Sequence, residues 1–255
     1  MDTSDFLDSE DIQIYQSLIG AMQWAVSLAR FDIATAVMTM SSFRVAPRIG
    51  HLTHVKRIYG YLSQFKDAAI RIQTDEPDFS LLPDQEYDWM YTVYGNVEEL
   101  IPDDIPTPLG KTVRITHYVD ANLFHDMVTG RSVTGILDFV NQTPIDWYSK
   151  KQATVETATY GSEFVAARTC VERDIDLRTL LRYLGVPIHQ KAYMFGDNDS
   201  VVNSSMTPHA KLHKRHNALS FHQVRKHWGH NQVWPLLQCV LFWKGNTMDL
   251  VHEED

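Results

Sequence analysis

Apolar residues recur at helical spacing near the start of the chain and at strand spacing in its second half. Tyr15, Leu18, Ile19, Met22, Ala25, Val26 and Ala29 form one apolar face of a helix. Asp32 is placed to cap a second helix carrying Ile33, Ala36, Val37, Met40 and Phe43, which Pro47 stops. Leu52, Val55, Ile58, Tyr59, Leu62 and Phe65 make a third stripe, and Ala69-Ile-Arg-Ile72 reads as a short strand. The periodicity then gives out. Residues 74–110 replace it with acids, Pro83, Pro102, Pro106, Pro108 and Gly110. Trp89, Tyr91 and Tyr94 are more aromatic than a disordered linker needs, so this connector is expected to dock on a neighbouring unit.

From residue 111 the pattern turns to β and then α. Val113, Ile115, His117 and Val119 alternate with Arg114, Thr116, Tyr118 and Asp120, as in a half-buried strand ending at Asp120. Residues 133–140 and 144–149 read as two more strands, with Asn141-Gln-Thr143 short enough for a hairpin. A long helix follows, with Phe164, Ala167, Val171, Ile175, Leu181 and Leu184 near one stripe and Gly185 closing it. Residues 191–195 form a fourth strand ending at Gly196-Asp197, and Asn198 opens another helix. The crossover helix implies that the fourth strand runs parallel to the first. The expected class is α/β: three antiparallel strands, a helix crossover and a parallel fourth strand, preceded by a small helical unit. The chain then divides into an acidic tail (1–11), a helical unit (12–73), an acidic proline-containing connector (74–110), an α/β domain (111–226) and a tail (227–255).

Composition narrows the class without fixing it. With 255 residues, 44% hydrophobic and 22% charged, the chain can bury a sizeable core like an ordinary globular protein. No apolar run approaches the roughly 20 residues that span a bilayer, so no membrane partner is expected. The acidic N-terminus lacks the basic start and apolar core of a signal peptide. The two cysteines, Cys170 and Cys239, are expected as free thiols of a reducing intracellular compartment, cytoplasmic or nuclear. The net charge of −9 is unfavourable for a polyanion partner. It is unevenly spread, however: acid gathers in the N-terminal tail and residues 75–104, whereas residues 211–226 are basic.

The candidate chemistry lies in three acids. Asp120 and Asp197 end strands expected to be parallel neighbours, so both emerge at one edge of the sheet, where open α/β sheets bind ligands. Glu163, early in the crossover helix, can reach the same point. Three converging carboxylates repel one another unless hard divalent cations, Mg²⁺ or Mn²⁺, neutralise them. A pair of such ions suits phosphodiester hydrolysis.

Several blocks occur in an order that resembles a known family. Tyr118-Val-Asp-Ala-Asn-Leu-Phe124, Gly130-Arg-Ser-Val-Thr-Gly135, Ile145-Asp-Trp-Tyr-Ser-Lys-Lys-Gln152, Tyr160-Gly-Ser-Glu-Phe-Val-Ala-Ala167 and Gly196-Asp-Asn-Asp-Ser200 resemble the ribonuclease H domain of copia-type retrotransposon polyproteins. The segment 209–225, with Lys214-Arg-His216 and Ser220-Phe-His222, resembles the basic region after those blocks. Upstream, Tyr15-Gln-Ser-Leu-Ile-Gly20, Arg30-Phe-Asp-Ile-Ala34 and His51-Leu-Thr-His-Val-Lys-Arg57 resemble the end of the preceding reverse transcriptase domain.

The resemblance implies a metal-dependent nuclease acting on RNA–DNA hybrids, with Asp120, Glu163 and Asp197 as catalytic and metal-binding residues. It implies virus-like particle association in a functional element. Nucleic-acid contacts are expected from Arg131, Lys150, Lys151, Lys214 and Arg215. Lys56 and Arg57 would touch a template-primer if the helical unit is a thumb remnant rather than a stabilising cap. Asp126, Glu156, Glu172 and Asp199 are acidic neighbours without an expected role.

Two departures stand against this. The paired aspartates of a polymerase palm are absent, so no polymerisation is expected. The family's fifth strand and the fourth carboxylate after it look deleted between Arg225 and His227, and residues 201–248 contain no acid. The histidines there, with spacings such as His209-x3-His213, have no cysteine or acidic pair to complete a zinc set. Two functions therefore remain open: a ribonuclease H-type enzyme, or a non-catalytic remnant that keeps the fold and some nucleic-acid affinity.

Overall fold

The structure, a computed structural model, describes residues 2–80, 88–95, 101–212, 215–229 and 233–237. The chain forms two compact units, Met1–Arg71 and Ile72–Asp255.

The first unit is helical: α1 (Ser9–Ser27), α2 (Ala34–Ser41) and α3 (Ile49–Gln64). Asp8 starts α1 by accepting the Asp11 N–H at 2.8 Å, satisfying one of the free amides at the helix end. Tyr15, Ile19 and Met22 of the expected stripe are buried with Val37, Leu52 and Val55. The Tyr15 hydroxyl donates to the Met40 carbonyl at 2.8 Å, so even the polar tip of this core residue is satisfied. Asp32 does not cap α2 as expected. Its carboxylate pairs with Arg30 at 2.8 Å within a 3-10 turn, and Ile33 takes the cap position without a side-chain bond. Residues 69–72 form no strand, since they have no partner to pair with.

The second unit is built on a mixed sheet in the order β3-β2-β1-β4-β5. Its strands are β1 (Ile115–Asp126), β2 (Arg131–Val140), β3 (Thr143–Lys151), β4 (Ala192–Gly196) and β5 (Val233–Leu237). β1, β2 and β3 are an antiparallel meander, with Val140 paired to Thr143 across a two-residue turn. Asn141 holds that turn with φ 56°, a left-handed conformation that asparagine tolerates. The helix α4 (Thr159–Tyr183) crosses back so that β4 lies parallel to β1. Gly185, at φ 70°, ends α4: its N–H reaches Arg182 O, and Val186 N–H reaches Leu181 O. This is the glycine-closed helix end. The helices α5 (Asp199–Met206) and α6 (Ala218–Gly229) complete the unit. The strand order, senses and crossover are those of the ribonuclease H fold.

The fifth strand requires a correction. It is not missing: Val233–Leu237, placed in the tail on sequence, pairs in parallel with the whole of β4 from Ala192↔Val233 to Gly196↔Leu237. β4 would otherwise leave an unpaired edge, and any extended segment within reach can fill it. Pro235, which lacks an N–H, is compatible with this place because β5 is an edge strand.

The core lies between the sheet and the helices, with Val119, Ile136, Phe164, Val171, Met194 and Val224 buried in it. Trp89 of the connector is buried in the same cluster, and Tyr94 packs against it. Both face Arg225 of α6, whose guanidinium lies 4.9 Å from the Trp89 ring and 5.3 Å from that of Tyr94. Among the described residues no carboxylate pairs with Arg225; it donates to the carbonyls of Ser204, Thr207 and Pro208 instead. Residues 72–80 cross the sheet at its other side, where Phe79 packs on Tyr193 and Phe195. Asn141 holds this segment through a 2.7 Å bond to Thr74 O. Among the described residues no helix is long and apolar enough to cross a membrane.

Candidate metal centre

β1 and β4 are paired through Tyr118↔Phe195. Asp120 and Asp197 each lie two residues beyond that pair, so strand register alone brings them level with each other. β1 itself does not end at Asp120; it runs six residues further in its hairpin with β2, where Asp120 faces Gly135. Asp120 nonetheless sits just past the parallel segment, so the edge shared with Asp197 is preserved. Glu163 comes from the fifth position of α4 and accepts the Ala121 N–H at 3.3 Å, tying the helix to the residue beside Asp120.

The three carboxylates offer ligand oxygens that all lie within 4.8 Å of one another. Glu163 is buried, Asp120 half-buried and Asp197 exposed, so the cluster opens to solvent on one side. Among the described residues none of the three has a cationic partner, and no fourth acid or histidine joins the group. Burial, reinforced by the charges of Asp120 and Asp197, pushes Glu163 up to about 9. Burial and the Asp197 charge raise Asp120 as well. Apposed acids that the protein does not neutralise, all presenting hard oxygen donors, fit a divalent cation such as Mg²⁺ or Mn²⁺.

The other residues expected to act are more dispersed. The meander register puts Ser149 opposite Gly135 and Lys150 one step further along. Lys150 is exposed two strands from β1, about 10 Å across the sheet. Arg131, also exposed, starts β2 at the same end of the meander. Lys151 is already engaged, with its ammonium 2.9 Å from Asp126. Arg215 is exposed in the 3-10 turn Arg215–Asn217, and Lys214 lies outside the described residues. Lys56 and Arg57 are exposed on α3 in the first unit. Three of the four acids without an expected role have local partners: Asp126 has Lys151 and Thr129, Glu156 has His216 at 3.1 Å, and Glu172 has Gln223 at 2.9 Å, while Asp199 sits in the first turn of α5. Cys170 is a buried free thiol, and Cys239 lies outside the described residues.

A second buried ionic cluster escapes sequence inspection. His117, fully buried, is 2.7 Å from Asp138 on β2 through Nδ1 and 3.0 Å from Asp174 on α4 through Nε2. Arg173 also donates to Asp138 and reaches out to Asp146 on β3 at 2.6 Å. The signal was a histidine at an inward position of β1 and an acid inside the apolar run of β2. Neither position identifies its partner.

No protein-family model matches the chain. Over 213 residues, 83% of its length, it is 25% identical to the retrovirus-related Pol polyprotein from transposon TNT 1-94 of Nicotiana tabacum. Over 211 residues it is 22% identical to the corresponding polyprotein from transposon RE1 of Arabidopsis thaliana. The chain spans 13% and 12% of the lengths of these two relatives. It is also 25% identical over 168 residues to secreted RxLR effector protein 161 of Plasmopara viticola, covering 66% of this chain and 94% of that protein. Among solved structures it is similar to ribonuclease H1 of Halobacterium salinarum, with 12% identity, a TM-score of 0.37, and coverage of 49% of this chain and 85% of that one.

Proposed function

Because the chain is homologous to the retrovirus-related Pol polyproteins of plant transposons and carries a ribonuclease H-like domain, we propose that this domain is of the copia type and hydrolyses the RNA strand of RNA–DNA hybrids with Mg²⁺ or Mn²⁺. The observation that carries this reading is the convergence of Asp120, Glu163 and Asp197 within 4.8 Å, with no cationic side chain among the described residues to balance them. Asp120, just past the parallel pairing of β1 with β4, and Asp197, level with it after β4, would hold the metal, and Glu163 would complete its shell from the helix. When bound, the ions supply charge neutralisation, an activated water and stabilisation of the leaving oxygen. Glu163 must give up its proton as a metal binds, which makes binding release protons and strengthen with pH.

Hybrid recognition would come from backbone and 2′-hydroxyl contacts, with Lys150 and Arg131 meeting phosphates beside the carboxylates. Arg215, and by the same resemblance Lys214, would add further phosphate contacts. The helical unit would be the end of a reverse transcriptase, with Lys56 and Arg57 turned to the same kind of polyanion. The protein would act inside the cell.

One observation favours a second reading. Among the described residues no fourth carboxylate joins the three, as in a domain that binds hybrid without cutting it. The two are separated by incubating the full chain and its Asp120→Asn variant with a labelled RNA–DNA hybrid and Mn²⁺ or Mg²⁺. The nuclease reading expects cleavage that falls to the metal-free background in the variant. Hybrid binding without cleavage by the folded wild type establishes the second reading.

A further inference from the structure

β1 touches α4 through polar groups at two places. The Ala121 N–H donates to Glu163 at 3.3 Å, and the His117 ring meets Asp174 at 3.0 Å. On the strand these points are four residues apart, roughly 13 Å. On the helix they are eleven residues apart, three turns and about 16 Å, so Glu163 and Asp174 lie on one face. The spacings correspond, and the helix runs antiparallel to the strand between the two ties. A third bond, from Gln152 Nε2 to Ser162 O at 2.8 Å, holds the first turn of α4. By itself that bond is a pivot.

The His117 tie is built to bear load. With a carboxylate at each ring nitrogen, both nitrogens must donate, so the ring is a cation. Burial alone would lower the pKa of His117. The hydrogen bonds and charges of Asp138 and Asp174 outweigh it and hold the ring up to about 9. Arg173 adds a second cation against Asp138. His117 and Arg173 then face the buried acids Asp138 and Asp174, with the more exposed Asp146 as a further partner of Arg173. Phe164, Ala167 and Val171 pack on the sheet without directional preference, and Arg173 adds an ionic contact to Asp146 on the outer strand β3. Apolar packing of this kind does not by itself fix where Glu163 sits along the sheet.

We propose that His117 is a positioning residue for the metal centre: bridging Asp138 and Asp174, it locks α4 to β1 in the register that sets Glu163 beside Asp120. This inference rests on the reading of the three carboxylates as a metal site, but the lock can be tested without metal. The informative protein is the full chain carrying His117→Leu and Asp174→Leu together. It removes both buried charges of the tie and leaves Asp138 its Arg173 partner. An apolar pair in place of a buried ion pair keeps the fold stable while abolishing its directionality.

Three quantities are read: melting temperature, Mn²⁺ affinity by calorimetric titration, and hydrogen exchange of the Ala121 amide by NMR without metal. The lock requires Mn²⁺ binding about tenfold weaker and Ala121 exchange about tenfold faster at a near-native melting temperature. Native Ala121 protection and native Mn²⁺ affinity in the double variant overturn it, leaving the cluster as simple packing. If wild type binds no Mn²⁺, the metal reading fails by itself and Ala121 exchange alone decides the lock. Should the double variant not fold, His117→Gln takes its place, since a neutral amide donates from a single nitrogen and lacks the charge and the opposed N–H groups of the imidazolium, and the same two readouts decide.

Discussion

Two groups of acids lie within three helical turns of each other on the face of α4 that meets the sheet, and they are built on opposite principles. Asp138 and Asp174 are buried against His117 and Arg173, anion for cation, with every contact at hydrogen-bonding distance. Asp120, Glu163 and Asp197 are apposed with no cation among the described residues. The first group is complete as it stands. The second is stable only if protons or an added cation offset the repulsion, and Glu163, pushed up to about 9, keeps its proton for that reason. Burial therefore does not mark an acid as functional. What separates a strut from a ligand site is whether the protein supplies the counter-charge.

The largest expected effect comes from breaking the complete group. Asp138→Ala leaves His117 and Arg173 without a shared anion and should cost about 3–5 kcal/mol in urea unfolding. A loss under about 1 kcal/mol would mean that the cluster is not a buried ionic unit.

The incomplete group should respond in the opposite way. At pH 7 Glu163→Gln replaces a carboxyl that is already protonated, so metal-free stability should stay within about 0.5 kcal/mol of wild type. Above pH 9 the variant should be the more stable protein. Mn²⁺ should no longer raise its melting temperature; a full metal shift in the variant would remove Glu163 from the site.

Stability against pH sharpens the contrast. His117 is raised from an ordinary 6.5 to about 9, so its contribution is fully present below 6.5 and lost as pH climbs through 9. Glu163 is raised from 4.5 to about 9, so the metal-free protein also loses stability as pH rises from 4.5 toward 9. Saturating Mn²⁺ should reverse the Glu163 share, with the metal-induced shift growing with pH, and leave the His117 share intact. A metal shift that is flat between pH 6 and 9 contradicts proton displacement from the carboxylates.

The surface charges should matter least for stability. Lys151→Ala breaks a half-buried surface pair with Asp126 and should cost about 1 kcal/mol or less. Lys150→Ala should leave stability unchanged while weakening hybrid binding and lowering its salt slope by about 1. An unchanged slope would place Lys150 away from the phosphates.

Much of this was legible in local pattern. The alternation through Ile115, His117 and Val119, the stripe from Phe164 to Leu184 and the glycine at 185 define β1 and α4, because each depends on near neighbours in the chain. So does the level placement of Asp120 and Asp197, since parallel pairing and a two-residue offset suffice. Asp32 was misread because an aspartate before a helix can cap it or pair with a nearby arginine, and Arg30 won. The fifth strand was misread because Val233–Leu237 has a proline in its middle and a break in family order before it. The open edge of β4, invisible in sequence, is what gives it a place.

The sequence by itself determined the main helices and the first four strands, and that three acids would converge at one sheet edge, because those properties follow from periodicity and crossover handedness. Only the tertiary structure decided which acids receive a counter-charge. Asp138 and Asp120 look alike along the chain, each an acid in an alternating strand. A histidine 21 residues before the first and an arginine 35 residues after it make Asp138 a strut. Asp120 faces two further carboxylates and no cation among the described residues. Coulomb energy depends on distance in space, and a sequence reports distance along the chain.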